Sequence, residues 1–243
     1  MSRTASIQDG HYEDAGGLRT FYLDKGEGRT IVLMHGSSVA IDSRVTWFRN
    51  IDALAERFRV IAFDQPGFGR TDMPRQGRYL DREERSRHAV HFLDALGLER
   101  VILVGHSEGG YMGARVAIQQ PGRVAGLVVV TSGGTAPPLG GGRDAAWQAA
   151  SRRAYDFATR MATEDLFLET ARNSIFSHDA EFMKRMKENY GQARKSGNLD
   201  MFRKKFEQEP SAQPYWHLQE RHIHPHLPSL ATPILLVWAN NDD

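Results

Sequence analysis

The stretch VILVGHSEGG at residues 101–110 decides the fold. An apolar run ends there in the pattern Gly-x-Ser-x-Gly, which is typical of a sharp turn from a strand into a helix that exposes a serine hydroxyl at the carboxyl end of a parallel sheet. Gly105 and Gly109 stand two residues on either side of Ser107, where the strand and helix backbones must approach closely. The pattern therefore predicts a strained turn with Ser107 as a nucleophile.

Apolar runs on both sides of this turn extend the same alternation. TIVLM at residues 30–34, the apolar residues 60–63 and residues 125–131 each predict a further buried strand. Residues 108–120 predict the helix after the turn, which Pro121-Gly122 ends. Buried strands that alternate with helices indicate an α/β fold with a mostly parallel sheet covered by helices on both faces.

Two more helices are predicted between these strands. The first is a single helix with one apolar face, formed by Val45, Phe48, Ile51, Leu54 and Phe58. The second covers residues 80–96 and ends at Gly97. Its charged opening, DREER at residues 81–85, is interpreted as a solvated helix face.

The composition changes after the fourth predicted strand. Residues 144–208 are polar, lack strand periodicity and favour helices, and PILLVWA at residues 233–239 then returns to buried-strand composition. These changes predict an N-terminal core at residues 1–136, an inserted helical lid at 137–225 and a return to the core at 226–243. The sequence contains no internal repeat.

A serine nucleophile on such a turn needs backbone N–H groups that donate hydrogen bonds to the substrate oxygen as it becomes negative. HGSS at residues 35–38 follows the first buried strand, and a backbone N–H of this loop is expected to join the N–H of Glu108 in an oxyanion hole. The carboxylate of Glu108 is expected to interact favourably with the dipole of the helix that it begins.

The same scaffold requires an acid and then a histidine after the serine. Residues 132–143 contain no carboxylate, so Asp242, after the late strand, is the predicted acid. His106 cannot act as the base for Ser107, because neighbouring side chains on a tight turn point apart. We therefore expect the triad histidine, with the rest of the fold, to lie in sequence beyond Asp243.

Composition limits the remaining function classes. The chain has 31 basic and 30 acidic side chains and a net charge of +1, so no long-range field attracts nucleic acid or an anionic membrane. Cysteine is absent, and no apolar run is long enough to span a bilayer or to act as a secretory signal. We expect a cytoplasmic protein that binds a small molecule and needs no cofactor. Whether it forms a homo-oligomer stays open.

His222, His224 and His226 alternate in the sequence, a spacing that could place three imidazoles on one side of an extended segment as metal ligands. Because no carboxylate cluster stands nearby, a polar connection from the lid back to the core is favoured, and no metal site is predicted.

The chain resembles the α/β-hydrolase superfamily and, within it, the meta-cleavage product hydrolases, which cleave carbon–carbon bonds in ring-fission products of aromatic degradation. The segments that carry the resemblance are LMHGSS at 33–38, WFRNI at 47–51, FRVIAFDQPGFGRTD at 58–72, GHSEGG at 105–110 and the late strand before Asp242. That group usually has Asn before the nucleophile and a small or apolar residue after it, where this chain has His106 and Glu108. Esterases of the superfamily commonly carry His at the first position.

The resemblance implies a role for each matching residue. Ser107 is the nucleophile or the activator of water, Asp242 orients the histidine, and Ser37 and Glu108 supply backbone oxyanion donors. Asp64 is expected to hold its turn and not to take part in catalysis. The residues expected to contact substrate are His35, Gly36, Ser38, His106 and Arg185, the last through a substrate carboxylate.

These expectations favour a serine-dependent hydrolase for an apolar or aromatic carbonyl substrate, with a dienoic keto acid as the first candidate. Two alternatives stay open: a carboxylesterase or lactonase, and a non-catalytic binding protein with the same fold. Serine at position 107 excludes the dehalogenases and epoxide hydrolases of this fold, which need Asp there.

Overall fold

The computed structural model describes residues 10–136, 140–154, 156–173, 179–208 and 214–239, with the backbone alone described at 154 and 214–216. These residues form a seven-stranded sheet in the order β1-β2-β4-β3-β5-β6-β7. The strands are β1 His11–Asp14, β2 Arg19–Lys25, β3 Thr30–Met34, β4 Arg59–Phe63, β5 Val101–His106, β6 Val124–Val130 and β7 Ile234–Val237.

The sheet is parallel from β4 to β7, and β1 and β2 add an antiparallel pair at one edge. This arrangement confirms the predicted fold class. β1 and β2 were not predicted, because polar residues in β1 and at both ends of β2 leave no long apolar run.

Ten α-helices occupy the described residues. They are α1 Ser43–Thr46, α2 Ile51–Ala55, α3 Arg82–Ala95, α4 Glu108–Gln119, α5 Gly142–Ala154, α6 Phe157–Arg160, α7 Glu164–Asn173, α8 Ala180–Ser196, α9 Asn198–Gln208 and α10 Pro214–His222. A 3₁₀ helix, His224–Ser229, connects α10 to β7. No helix in this described part of the chain is both long and apolar enough to cross a membrane.

The single helix predicted between β3 and β4 is wrong, because the chain forms α1 and α2 instead. Asp42 caps α1 by accepting from the N–H of Val45, and the helix ends at Trp47. Val45, Trp47 and Ile51 are all buried. Since residues two apart lie on nearly opposite sides of a helix, one continuous helix could not bury both Val45 and Trp47 in the same direction.

The core lies on both faces of the sheet. Val32 and Met34 of β3 pack on the side of α3 and α4, whereas Ile31 and Leu33 pack on the opposite side with Trp47. This alternation follows from the two-residue period of a strand. β7 lies at the other edge from β1, and the described residues leave all four of its side chains exposed.

The helices after β6 pack on loops of the sheet. Phe167, Met186 and Phe202 share one apolar cluster with Val45 and Phe68 from these loops. Side-chain amides of α8 also donate to loop carbonyls, from Asn189 to Ala40 at 3.1 Å and from Gln192 to Gly69 at 3.2 Å. The division of the chain at residues 136 and 225 stays a prediction.

Candidate active site

Ser107 has the strained backbone that the turn motif predicts. It lies between β5 and α4 with φ 53° and ψ −119°, a conformation that costs a non-glycine residue about 1–3 kcal/mol. Three hydrogen bonds hold it: its N–H donates to Val130 O (3.0 Å), and its carbonyl accepts from Gly110 N (2.9 Å) and from Ser132 Oγ (2.6 Å). The turn is therefore held by α4, by the last residue of β6 and by Ser132, which follows β6.

The two glycines beside Ser107 permit this close packing. A Cβ at Gly105 would overlap the carbonyl of Gly109, and a Cβ at Gly109 would overlap the carbonyl of Met34. Backbone contact of this kind leaves no room for any other residue. The spacing Gly-x-Ser-x-Gly thus reflects the approach of α4 to both β3 and β5.

The loop at residues 35–38 lies directly beside Ser107. β3 and β5 are parallel neighbours with Met34 opposite Gly105, so both strands end at the same edge of the sheet. A Cβ placed on Gly36 would lie 3.1 Å from the Cβ of Ser107. The backbone of this loop is therefore close enough to face a group bound at the serine.

Ser107 opens into a cavity of about 880 Å³, here called the Ser107 cleft. Gly36, Ser37, Ser38 and His106 line it together with Ser107. Its remaining walls are mainly apolar side chains from one face of the sheet, from the segment that contains α1 and α2, and from α8: Ile31, Leu33, Ile41, Val45, Trp47, Phe48, Leu54, Ile102, Val104, Val128, Val130, Phe182 and Val237. Clefts of this size and character suit small apolar ligands.

His35 lies behind the wall of the cleft and does not line it. Its side chain is fully buried, and its Nε2 accepts from the N–H of Gln65 at 3.0 Å. The ring proton therefore sits on Nδ1, which donates to Gly36 O at 2.6 Å. Burial lowers the pKa of His35 to about 4, so the imidazole is neutral at pH 7. These contacts suit a residue that shapes the loop, in contrast to the expected contact with substrate.

The Glu108 carboxylate is held by two arginines of α3. Arg82 donates to it from Nε at 2.6 Å and from Nη2 at 2.5 Å, and Arg85 donates from Nη2 at 3.2 Å. Burial raises the pKa of Glu108, but attraction to Arg82 and Arg85 more than offsets this and lowers it to about 2. The group is ionised at neutral pH, and its main partners are these arginines.

The interpretation of residues 81–85 as a solvated face is wrong. Arg82 and Arg85 are 5% and 0% exposed because they turn toward Glu108. A signal for this was present in the sequence: the buried positions Ala89 and Phe92 continue at helical spacing back to Arg85 and Arg82. Charged residues on the buried stripe of a helix need buried partners, whereas a charge run on the outer face does not.

Further hydrogen bonds connect the Arg82–Arg85–Glu108 cluster to the loop beside Ser107. Arg85 Nη1 donates to Gln65 Oε1 at 3.0 Å, and Gln65 Nε2 donates to the carbonyl of His35. Arg85, Gln65 and Tyr79, whose hydroxyl is hydrogen-bonded to Ser37 Oγ, were missed in the sequence. We call Arg82, Arg85, Glu108, Gln65 and His35 the buried ion network. This network connects Glu108, the residue after Ser107, with the loop at residues 35–38.

Asp64 makes contacts that fit the expected structural role. It is buried and accepts from the N–H of Ser43 at 2.9 Å and from the N–H of Arg70 at 2.9 Å. These bonds hold the loops after β3 and β4 together.

Arg185 lies outside the Ser107 cleft. It pairs with Glu181 at 2.8 Å, and its guanidinium carbon lies 4.8 Å from the ring centre of Phe48. Phe48 lines the cleft, whereas Arg185 lines a second cavity. Arg49 is the arginine on the wall of the Ser107 cleft, where it pairs with Asp179.

The remaining candidates are placed as follows. Asp242 lies outside the described residues. His222 ends α10, while His224 and His226 belong to the 3₁₀ helix and not to an extended segment. Within the described residues, no group of three or more acidic or histidine side chains is arranged to hold a metal ion.

Comparison with known proteins agrees with this fold. The family model described as the alpha/beta hydrolase fold matches residues 29–243, and the chain therefore belongs to the α/β-hydrolase family. It is similar in fold to 2-hydroxy-6-oxo-6-phenylhexa-2,4-dienoate hydrolase (BphD) from Rhodococcus sp. strain RHA1, with a TM-score of 0.74 and 19% identity over 95% of this chain and 80% of that chain.

Among curated proteins, the chain is similar to meta-cleavage product hydrolases. It is 39% identical over 133 residues to 2-hydroxymuconate semialdehyde hydrolase of Pseudomonas sp. (strain CF600), which covers 55% of this chain and 47% of that protein. It is 40% identical over 133 residues to 2-hydroxy-6-oxo-2,4-heptadienoate hydrolase of Pseudomonas putida F1. This match covers 55% of this chain and 48% of that protein. The chain spans about half the length of the curated relatives it matches.

Proposed function

We propose that this protein is a serine-dependent hydrolase that cleaves a carbon–carbon bond in an aromatic ring-fission product, a dienoic keto acid. The observation that carries the proposal is the backbone of Ser107, strained and held by three hydrogen bonds at the mouth of an apolar cleft. Strain of this kind persists at sites where function requires it. The names of the relatives, which are hydrolases of such dienoic compounds, supply the substrate class.

In the proposed mechanism, Ser107 attacks the substrate carbonyl or activates water for that attack. The N–H groups of Glu108 and Ser37 donate to the oxygen as it becomes negative. Hydrolysis adds hydroxide to the carbonyl carbon and a proton to the carbon that leaves. Asp242 is proposed to orient the histidine that moves this proton.

The buried ion network gives the Glu108 N–H a fixed position. The Glu108 carboxylate accepts three hydrogen bonds from the guanidinium groups of Arg82 and Arg85, so the first turn of α4 is held against α3. A donor that is already in place needs no reorganisation when charge develops, which is the basis of oxyanion stabilisation. Arg82 and Arg85 are thus positioning residues in this proposal.

A dienoic keto acid also needs a cation for its carboxylate in an otherwise apolar cleft. Arg185 is the residue that family resemblance suggests, but Arg49 is the arginine that lines the cleft. The proposal includes one of these two, and separate substitutions of each decide between them.

An esterase or lactonase is the second candidate. The observation that favours it is His106, which stands before the nucleophile and lines the cleft. An imidazole there adds a polar group to the apolar wall beside Ser107.

The test is a side-by-side assay of the purified protein on a ring-fission dienoic keto acid, an aryl ester and a lactone. We expect the highest kcat/KM on the dienoic keto acid. A higher kcat/KM on the ester or lactone would favour the second candidate. Binding of the dienoic acid without turnover of any of the three substrates would favour a binding protein with this fold.

A further inference from the structure

A second cavity of about 460 Å³ lies where α8 rests on the loops of the sheet. Arg44 of α1 and Arg70 of the loop after β4 face it from one side, and Arg185 and Lys195 face it from α8. Glu188 is the carboxylate on its wall. We call this cavity, lined by these five side chains together with Val45, Asn189, Gly191 and Gln192, the basic cavity.

The two sides of the basic cavity are fixed to each other. Asn189 and Gln192, both on its wall, donate to the carbonyls of Ala40 and Gly69. The four cations therefore come from segments more than a hundred residues apart in sequence, yet they surround one space.

The cations on this wall are only partly balanced. Arg70 pairs with the buried Asp42 at 3.4 Å, and Arg185 pairs with Glu181 at 2.8 Å. Within the described part of the chain, Arg44 and Lys195 have no ion pair. Arg44 is half-buried, and burial and then repulsion from Arg70 lower its pKa, while attraction to Asp42 and Asp64 offsets part of this lowering. Four cations face one carboxylate, Glu188, among the described residues of this wall, and such an excess of positive charge favours a bound anion.

Arg185 adds an unsatisfied donor at the same place. Its Nε is buried and has no hydrogen-bond partner among the described residues. A buried donor without an acceptor costs free energy.

We propose that the basic cavity binds a small molecule that carries a dianionic oxygen group, either a phosphate monoester or a dicarboxylate. Arginine recognises both groups through paired N–H donors. The volume suits a metabolite larger than a single ion. Such a ligand would join the loops to α8, since its oxygens would contact Arg44 and Arg70 on one side and Arg185 and Lys195 on the other.

This ligand would be separate from the proposed substrate of Ser107. Val45 lines both cavities, but Arg185 lines only the basic cavity, and its guanidinium lies 4.8 Å from the ring centre of Phe48, which lines the Ser107 cleft. The inference therefore does not depend on the hydrolase proposal, and its test measures binding and not turnover.

The experiment is isothermal titration calorimetry of the chain with inorganic phosphate and, separately, with succinate at fixed ionic strength. Sodium chloride serves as the control for screening. We expect saturable binding of at least one of the two anions. Saturation by phosphate alone indicates a phosphate monoester, and saturation by succinate alone indicates a dicarboxylate. No saturable binding of either anion, or an equal response to chloride, overturns the proposal.

Variants locate the site. Arg44→Gln and Lys195→Gln should each weaken binding about tenfold or more, since each removes a charged donor. The matched controls are Arg57→Gln on the sheet side and Lys184→Gln on α8, which remove the same charges from exposed positions outside the cavity. Lys195 is itself exposed, so its variant keeps the test valid if Arg44→Gln does not fold. Equal weakening by the controls would show that net charge alone is responsible and would overturn the proposal.

Discussion

The buried ion network and the basic cavity are both rich in arginine, but they balance charge differently. In the network, the side chains of Arg82 and Arg85 are 7% and 0% exposed and share one buried carboxylate. In the basic cavity, the side chains of Arg70 and Arg185 are 30% and 22% exposed, and cations outnumber acids on the wall. A closed network fixes geometry, whereas an unbalanced and partly open cluster has room for a ligand.

The largest expected effect is on catalysis at Ser107, which lies next to Glu108 of the buried ion network. Ser107→Ala should lower kcat by about 10⁴-fold or more, the scale seen when a catalytic serine is removed. Substrate affinity and the unfolding free energy should change little, because the backbone bonds of the turn remain. The measurement is kcat on the preferred substrate, with circular dichroism as the control for folding. Activity within tenfold of the parent would contradict the role of Ser107.

A substitution inside the network should affect stability. Arg85→Met should lower the unfolding free energy by about 3 kcal/mol, since it removes a buried partner of Glu108 and the donor to Gln65. Urea denaturation measures this loss. Arg87→Met, an exposed site on the same helix, should change stability by less than about 0.5 kcal/mol. Equal effects of the two variants would mean that the network contributes nothing beyond helix propensity.

The low pKa of Glu108 predicts a specific pH dependence. Because the folded-state pKa, about 2, lies below the usual value of 4.5, the carboxylate adds stability above pH 4.5 that is lost as the pH falls toward 2. Glu108→Gln should remove this dependence. Unfolding free energies of the parent and the variant should therefore differ by a constant amount above pH 4.5 and converge below it. A difference that stays constant down to pH 2 would contradict the ionised network.

Substrates of different charge distinguish the roles of Arg49 and Arg185, whose guanidinium groups both lie over the Phe48 ring. Arg49→Gln should lower kcat/KM on a carboxylated substrate about tenfold to a hundredfold and leave a neutral aryl ester nearly unchanged, as expected for one charge-assisted pair. Arg185→Gln should have a smaller effect on both substrates. The reverse result would restore the role that the sequence suggests for Arg185.

The smallest expected effect is the change in stability when a cation of the basic cavity is removed in the absence of ligand. Arg44→Gln should change the unfolding free energy by less than about 0.5 kcal/mol, because the repulsion of Arg44 by Arg70 and Arg185 is opposed by its attraction to Asp42 and Asp64. Thermal denaturation in chloride buffer measures it. A loss as large as that of Arg85→Met would show that the two regions are equivalent in stability.

Much of the fold could be predicted because its signals are local. The strands β3 to β6 are mainly apolar runs, and α4 begins at Glu108, within the motif at residues 105–109. β1 and β2 were missed since their partners, not their own composition, make them strands. The break between α1 and α2 was missed because periodicity does not reveal that Trp47 must also be buried.

Local patterns in the sequence were enough to predict the turn at Ser107, the glycines that permit it and the alternation of strands and helices. These features depend on backbone sterics and on periods of two and 3.6 residues, which act between near neighbours. The folded chain was needed to show that Arg82 and Arg85 meet Glu108, that Arg185 lies against the Phe48 ring and that four cations line one cavity. The physical reason is that the partner of a charge is set by proximity in space, and the groups that meet here are far apart along the chain.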